Sequence, residues 1–393
     1  MTMQERWNAA MMANYGTPPI AIDHGAGVRV WDVDGREYLD FVAGIATSAL
    51  GHAHPAIVEA VSAQVARLAH SSNLAIHEPG VRLAERLLEL LGADGRVFFA
   101  NSGTEANECA VKLARVHGRK NGGRVEIIAA HGSFHGRTLG ALAITGNPAK
   151  REPFAPLPGP VTFVDYGDAD VLRKAVTERT AAVVLEPTLG EGGVVPAPPG
   201  YLAAAREACD AAGALLIVDE VQSGIGRTGH WFASIAEGVR PDVITLAKGL
   251  GGGLPIGACI GVGPAGHLFS GGDHGATFGG NPVSCAASLA VLDTIADEHL
   301  LDAVKRVGEH LAAELSALAS PAVREVRGSG LWRALALHGN QAGTVETAAR
   351  ENGLLVNAVK PDVIRLAPPL ILTEADVDEA MPRLRAALGA VDA

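Results

Sequence analysis

Short uninterrupted apolar runs alternate along this chain with longer stretches in which apolar residues recur every three or four positions. Ile57, Val58, Val61, Val65 and Leu68 follow His54-Pro55 at helical spacing, and a second helix is predicted from Pro79 to about Leu91. Arg96–Ala100 is a compact apolar run that passes through Asn101-Ser102-Gly103 into a helix reaching about His117. Val125–Ala130, Ala181–Leu185, Ala214–Val218, Val243–Leu246 and Pro255–Gly261 read as further strands, with a helix over Tyr201–Ala212. Apolar at most positions without alternation, such strands have both faces buried, and their alternation with helices argues a mostly parallel sheet covered on both sides. Earlier, Val28–Asp32 and Tyr38–Phe41 form a pair of short strands around the turn signal Asp34-Gly35. After Asn281-Pro282 a long helix runs to about Asp297. From about residue 300 a helix, strands near Val323–Leu337 and a closing helix after Thr373 suggest a smaller terminal unit.

Composition narrows the function classes. With 393 residues the chain is long enough for two or three domains. Aromatics are only 4%, so Ala, Val and Leu must fill the core. The 48 glycines show no triplet period, which excludes collagen, and they cluster in loops where backbone can approach a ligand. A formal charge of −11 without basic clusters argues against nucleic acid. No apolar stretch is long enough for a membrane span, and no leader is visible at the N-terminus, so a cytoplasmic protein is expected. Cys109, Cys209, Cys259 and Cys285 are far apart and lack metal-site spacing, which predicts reduced, mostly buried thiols and no metal.

Three segments carry candidate chemistry. Asn101-Ser102-Gly103-Thr104-Glu105 opens a helix straight after a strand, where free N–H groups and the positive dipole end can hold a phosphate; Ser followed by Glu also reads as a plain capping box. Asp219-Glu220 ends a buried strand, where open α/β sheets place ligand groups; Asp219 could equally cap the next turn. Lys248, among only seven lysines, follows an apolar strand and precedes Gly249-Leu250-Gly251. Desolvation there would lower its pKa and make it a nucleophilic amine, against the alternative of a surface lysine at a strand end. Phosphate cradle, acidic strand end and lysine, in that order, meet the needs of pyridoxal phosphate. No Walker A loop is present to support a generic nucleotide site.

The chain resembles the class III, fold-type I pyridoxal-phosphate aminotransferases over nearly its whole length. The motifs are Tyr15-Gly16-Thr17-Pro18-Pro19, Trp31–Gly35, Gly51-His52-Ala53-His54-Pro55, Asn101–Glu108, Phe134-His135-Gly136-Arg137-Thr138, Glu186-Pro187, Gly190–Gly193, Asp219–Gln222, Lys248-Gly249, Thr277–Pro282 and Ile364-Arg365-Leu366. The resemblance implies a large domain with a mostly parallel seven-stranded sheet between helices, and a smaller α+β domain built from both termini. Residues 1–55 would join the small domain, 56–295 form the cofactor domain and 296–393 the C-terminal part. It further implies that Lys248 is the Schiff-base lysine and proton carrier, Asp219 the partner of the pyridine nitrogen and Gln222 that of the 3-hydroxyl oxygen. Phe134 would stack on the ring and Val221 would also line the cofactor. Ser102, Gly103 and Thr104 would bind the phosphate, and Thr277 the phosphate of a neighbouring subunit in a homodimer.

Within the family the resemblance is nearest to the branch that transfers the terminal amine of N2-acetylornithine to 2-oxoglutarate, giving glutamate, in arginine biosynthesis. Arg137 would then grip the α-carboxylate of acetylornithine, and Arg365 that of glutamate or 2-oxoglutarate. Glu191 would mask Arg365 in one half-reaction, and Tyr15 and Ala276 would lie against substrate. Ile45 stands where ornithine enzymes have a tyrosine, whereas Thr47-Ser48 and Ala276 depart from the residues common in the acetylornithine branch. Ornithine, succinylornithine, 4-aminobutyrate and carrier-linked lysine remain alternative amine donors, and a non-catalytic cofactor-binding regulator is the alternative outside enzymes.

Overall fold

A computed structural model describes residues 1–392. Its centre is a seven-stranded sheet with the spatial order Gly95–Ala100, Gly257–Val262, Val243–Leu246, Leu215–Asp219, Thr180–Leu185, Glu126–Ala130 and Val161–Val164. Gly257–Val262 runs antiparallel to both neighbours, and every other adjacent pair is parallel. The apolar runs are continuous because each strand feeds two cores at once. Ala182, Val184, Leu215 and Ile217 face Cys109, Ala110 and Leu113 of the helix Gly103–Lys120. Val183, Leu185, Leu216 and Val218, one residue out of phase, face Leu202, Ala205 and Cys209 of the helix Tyr201–Ala212. The two-residue period of a strand distributes them so. All four cysteines are buried and free.

A second sheet combines Ile22–Ala26, Arg29–Asp32 and Glu37–Asp40 with Leu354–Leu355, so chain from before and after the large sheet meets there. A third, with the order Val323–Ser329, Trp332–Leu337, Val363–Leu366 and Asn357–Lys360, is antiparallel and places Arg365 on its second-last strand. Two expectations needed amendment. Tyr38–Phe41 is strand only as far as Asp40, whose carboxylate accepts from the N–H groups of Val42 and Ala43, both at 2.9 Å. Those bonds stop the strand and start a left-handed turn, in which Ala43, Gly44, Ile45 and Ala46 all have φ between +48° and +64°. The helix after Gly103 also runs on to Lys120 rather than ending near His117. Among the described residues, no helix is long and apolar enough to cross a membrane.

Candidate active site

The ends of the parallel strands converge on one edge of the large sheet. Ala100 leads to Ser102, Leu185 to Glu186 and Leu246 to Lys248, while Asp219 is itself the last residue of its strand. Around them lies a cavity of about 360 Å³, walled by Ser102–Thr104, Asn107, Phe134–Arg137, Glu186, Asp219, Val221, Gln222 and Lys248, and by Thr47 beyond the left-handed turn.

One end of the cavity is the start of the helix Gly103–Lys120. Ser102 is its N-cap and accepts from the Glu105 N–H at 3.3 Å. Glu105 returns its carboxylate to the N–H of Asn101, at 2.7 Å, rather than to Ser102 itself, so the capping alternative is realised in part. A cap and a phosphate cradle coexist here, because the first N–H groups of a helix have no acceptor within it. A Cβ added at Gly103 would stand 2.8 Å from Cγ1 of Val221, so glycine keeps this end open. The Thr104 hydroxyl is already committed: it accepts from the N–H groups of Arg137 and Thr138, at 3.0 and 3.2 Å, and bonds the Thr138 hydroxyl. Thr104 therefore ties the Phe134–Thr138 loop to the helix and has only its N–H to offer an anion.

Another part of the wall is a buried polar cluster. Asp219 Oδ2 accepts from Asn107 Nδ2 and faces His135 Nδ1, both at 2.8 Å, and Oδ1 accepts from the Val221 N–H at 3.0 Å. Thr245 holds Asn107 in turn, donating to its Oδ1 at 2.8 Å. Burial opposes charge on His135, but the hydrogen bond and charge of Asp219, with the charge of Glu186, raise its pKa above the ordinary histidine value. Burial likewise pushes the Glu186 carboxyl up, against the His135 charge and the N–H bonds it accepts from Phe134 and Gly190. Asn107, His135 and Glu186 went unassigned in the sequence. The available signal was a lone Asn on the apolar face of a helix, four residues after Gly103 and so directed at the same strand ends.

Lys248 lines the same cavity from a left-handed backbone position, φ +40°. Burial first, then the Arg365 charge, lowers its amine to about 7, although Glu191, Glu186 and Asp219 pull the other way. Arg365 is 3% exposed and gives one nitrogen to Glu191 at 2.7 Å and to Gln222 Oε1 at 3.3 Å, the other to Asn357 at 2.7 Å. Burial raises Glu191, but the charge and hydrogen bond of Arg365, then Lys248 and Lys150, outweigh it and leave the carboxyl below its usual range. Arg137 lies with its guanidinium carbon 5.6 Å from the Phe134 ring centroid. Thus Lys248, Asp219, Ser102, Gly103, Thr104, Phe134, Val221, Gln222 and Arg137 gather around one space, and Arg365 with its partner Glu191 joins that wall through Gln222. Tyr15, 84% exposed, and Ala276 and Thr277 do not join the cavity wall of the single chain. Among the described residues there is no cluster of side chains able to hold a metal ion.

The family model for class III aminotransferases matches residues 10–388. The acetylornithine aminotransferase of Streptomyces coelicolor is 59% identical over 379 residues, covering 96% of this chain and 93% of that one. That of Mycobacterium tuberculosis is 57% identical over 389 residues, covering 98% and 96%. Among solved structures, the N-acetylornithine aminotransferase of Stenotrophomonas maltophilia superposes with a TM-score of 0.85 at 36% identity, covering 96% of this chain and 98% of that one. The ornithine aminotransferase of Toxoplasma gondii superposes with a TM-score of 0.93 at 33% identity, covering 100% and 96%.

Proposed function

The chain belongs to the class III aminotransferases, pyridoxal-phosphate enzymes, and we propose that it moves the terminal amine of N2-acetylornithine to 2-oxoglutarate, yielding N-acetylglutamate semialdehyde and glutamate. The donor set suits that cofactor: a helix N-terminus for its phosphate, a buried carboxylate for a cationic ring nitrogen and a nearly neutral amine for its aldehyde. When bound, the cofactor supplies an electron sink for negative charge developing on the carbon that carries the amine.

The chain's own residues do the rest. Ser102 and the N–H groups of Gly103 and Thr104 hold the phosphate. Asp219 keeps the ring nitrogen protonated, itself fixed by Asn107 and His135, which take up one of its oxygens. Phe134 and Val221 line the ring, and Gln222 meets the 3-hydroxyl oxygen. Lys248, its amine lowered to about 7 by desolvation, would take and return the proton at the substrate carbon.

The observation that carries the two-substrate reading is the 2.7 Å pair of Glu191 with buried Arg365, which also reaches Gln222 of the cavity wall at 3.3 Å. Acetylornithine must present its terminal amine and glutamate its α-amine. With Arg365 masked by Glu191, Arg137 is left to grip the acetylornithine carboxylate; with Arg365 free, the α-carboxylate of glutamate or 2-oxoglutarate docks there. Guanidinium suits both tasks because it binds carboxylate through two parallel hydrogen bonds.

A homodimer is part of this reading. Thr277 and Tyr15 face outward in the single chain, and Leu74, Ile76 and Phe278 are large exposed apolar side chains on the same molecule, as expected of surface that a second copy covers. Residues 1–55 and 296–393 are taken as the small domain around the 56–295 cofactor domain, in a cytoplasmic enzyme. Half-reaction rates with acetylornithine, ornithine, succinylornithine and 4-aminobutyrate test the reading. Acetylornithine is expected to react fastest, and a clear preference for any of the others would replace it as donor.

A further inference from the structure

Phe134 has two cations against it. Arg137 lies 5.6 Å from the ring centroid and the Lys150 ammonium only 4.8 Å. Both distances fall within cation–π reach. Lys150 stands on the single helical turn Pro148–Arg151, whose next residue, Arg151, turns away to lie 4.0 Å over the Phe163 ring. Among the described residues, neither the Lys150 ammonium nor the Arg137 guanidinium makes an ion pair or a hydrogen bond; their backbone N–H groups account for the bonds these residues donate. Two such cations beside one ring repel each other, and Lys150 is half-buried as well. Burial, with Arg137 and Arg365, disfavours its charge, and Glu191 alone among the nearby groups supports it. A half-buried ammonium with no hydrogen-bonded anion of its own gains from one that docks beside it.

We propose that Lys150 is a second cationic ligand, beside Arg137, for the substrate carboxylate held away from the reacting carbon. The proposal rests on the aminotransferase reading above and deepens it by naming a specificity residue. Charge supports the class of ligand. Arg137 lines the cavity, Lys150 lies against the lining residue Phe134 and Arg365 against the lining residue Gln222, so that, set against Glu191, two positive charges remain beside the cavity, which matches a dicarboxylate. The two donors are complementary in shape. The guanidinium fork takes both oxygens in its plane, and the compact ammonium can donate to a lone pair outside it. The same pair serves both half-reactions, taking the α-carboxylate of acetylornithine in one and the γ-carboxylate of glutamate or 2-oxoglutarate in the other.

Holoenzyme carrying Lys150→Met tests this with two probes. Glutarate, a dicarboxylate without a reacting group, is titrated calorimetrically, and steady-state constants are measured for 2-oxoglutarate and for pentylamine, which has no carboxylate. The expected result is about tenfold weaker glutarate binding and a similar rise in the 2-oxoglutarate KM, with a smaller effect on kcat. Pentylamine should suffer less than either, and Lys150→Arg should recover most of the loss. Glutarate bound as tightly as by wild type, or equal damage to pentylamine, would overturn the proposal and leave Lys150 as a support for the Phe134 ring. Should Lys150→Met lose its cofactor, Lys150→Gln carries the same comparison with a polar side chain of similar reach. A wild-type enzyme that ignores acetylornithine would defeat the reaction assignment, while glutarate binding would still report on Lys150.

Discussion

Lys248 combines a left-handed backbone position with an amine lowered to about 7. A non-glycine residue so placed costs roughly 1–3 kcal/mol, which the surrounding fold must offset. In the cofactor-free chain the neutral, reactive fraction of this amine is about half at pH 7 and about one-tenth at pH 6, by the titration of a single group near 7. Uptake of pyridoxal phosphate, followed by its visible absorbance, should therefore slow about fivefold from pH 7 to pH 6 and level off above pH 8. A rate still rising tenfold per pH unit beyond 8 would mean an ordinary lysine. Lys248→Ala should lose the absorbance of lysine-bound cofactor and cut turnover by about 10²–10⁴, the usual worth of a positioned proton carrier. Asp219→Asn keeps the shape but removes the charge that faces both the ring nitrogen and His135. Charged hydrogen bonds contribute about 1.5–3 kcal/mol, so half-reaction rates should fall by at least about tenfold, and near-normal rates would remove Asp219 from the electron-sink role. Ser102, Asp219 and Lys248 were legible because each lies one or two residues beyond a predicted strand. Asn107, His135 and Glu186 were not, since their meaning lies in partners brought from distant stretches of chain.

At the scale of elements, legibility followed burial. Thr180–Leu185 and Leu215–Asp219 are buried at every residue and stood out as apolar runs, whereas the edge strand Val161–Val164 is buried only at Val164 and passed unnoticed. Ile22–Ala26 has no buried residue, so its sequence carries no pattern of a core strand. The loop Phe134–Thr138 was recognisable by motif, but its attachment to the helix Gly103–Lys120 through the Thr104 hydroxyl was not. That attachment depends on Gly136, which has φ +139° and whose added Cβ would fall 2.1 Å from Thr104 Oγ1. Gly136→Ala should thus push the loop off the helix and cost about 1–3 kcal/mol from backbone strain, with steric displacement in addition. A melting midpoint several degrees lower, together with faster loss of cofactor on dialysis, is the expected outcome. An unchanged midpoint would show that the loop has room to move.

Across the whole molecule, Arg365 and Glu191 come from distant stretches of chain. Arg365 lies on the antiparallel sheet of the C-terminal region, and Glu191 on the loop that follows the central strand Thr180–Leu185. Their 2.7 Å contact therefore joins the two parts of the fold next to Gln222 of the cavity wall, and it has two consequences that Glu191→Ala separates. As a switch, Glu191 leaves Arg365 permanently available when truncated. Glutamate should then react as well as before or faster, while the acetylornithine half-reaction should slow by about tenfold. That loss sits within the ~1–3 kcal/mol expected for removing one partner of a partly buried charged pair. Arg365 would not be stranded, because Asn357 at 2.7 Å and Gln222 at 3.3 Å still accept from it. As scaffold, Glu191 would instead hold the two parts together, so truncation would slow both half-reactions alike and lower the melting midpoint. Stopped-flow rates for each half-reaction, with the midpoint of the same variant, decide between them: opposite effects on the two substrates at an unchanged midpoint identify a switch, and parallel losses with a falling midpoint identify a brace.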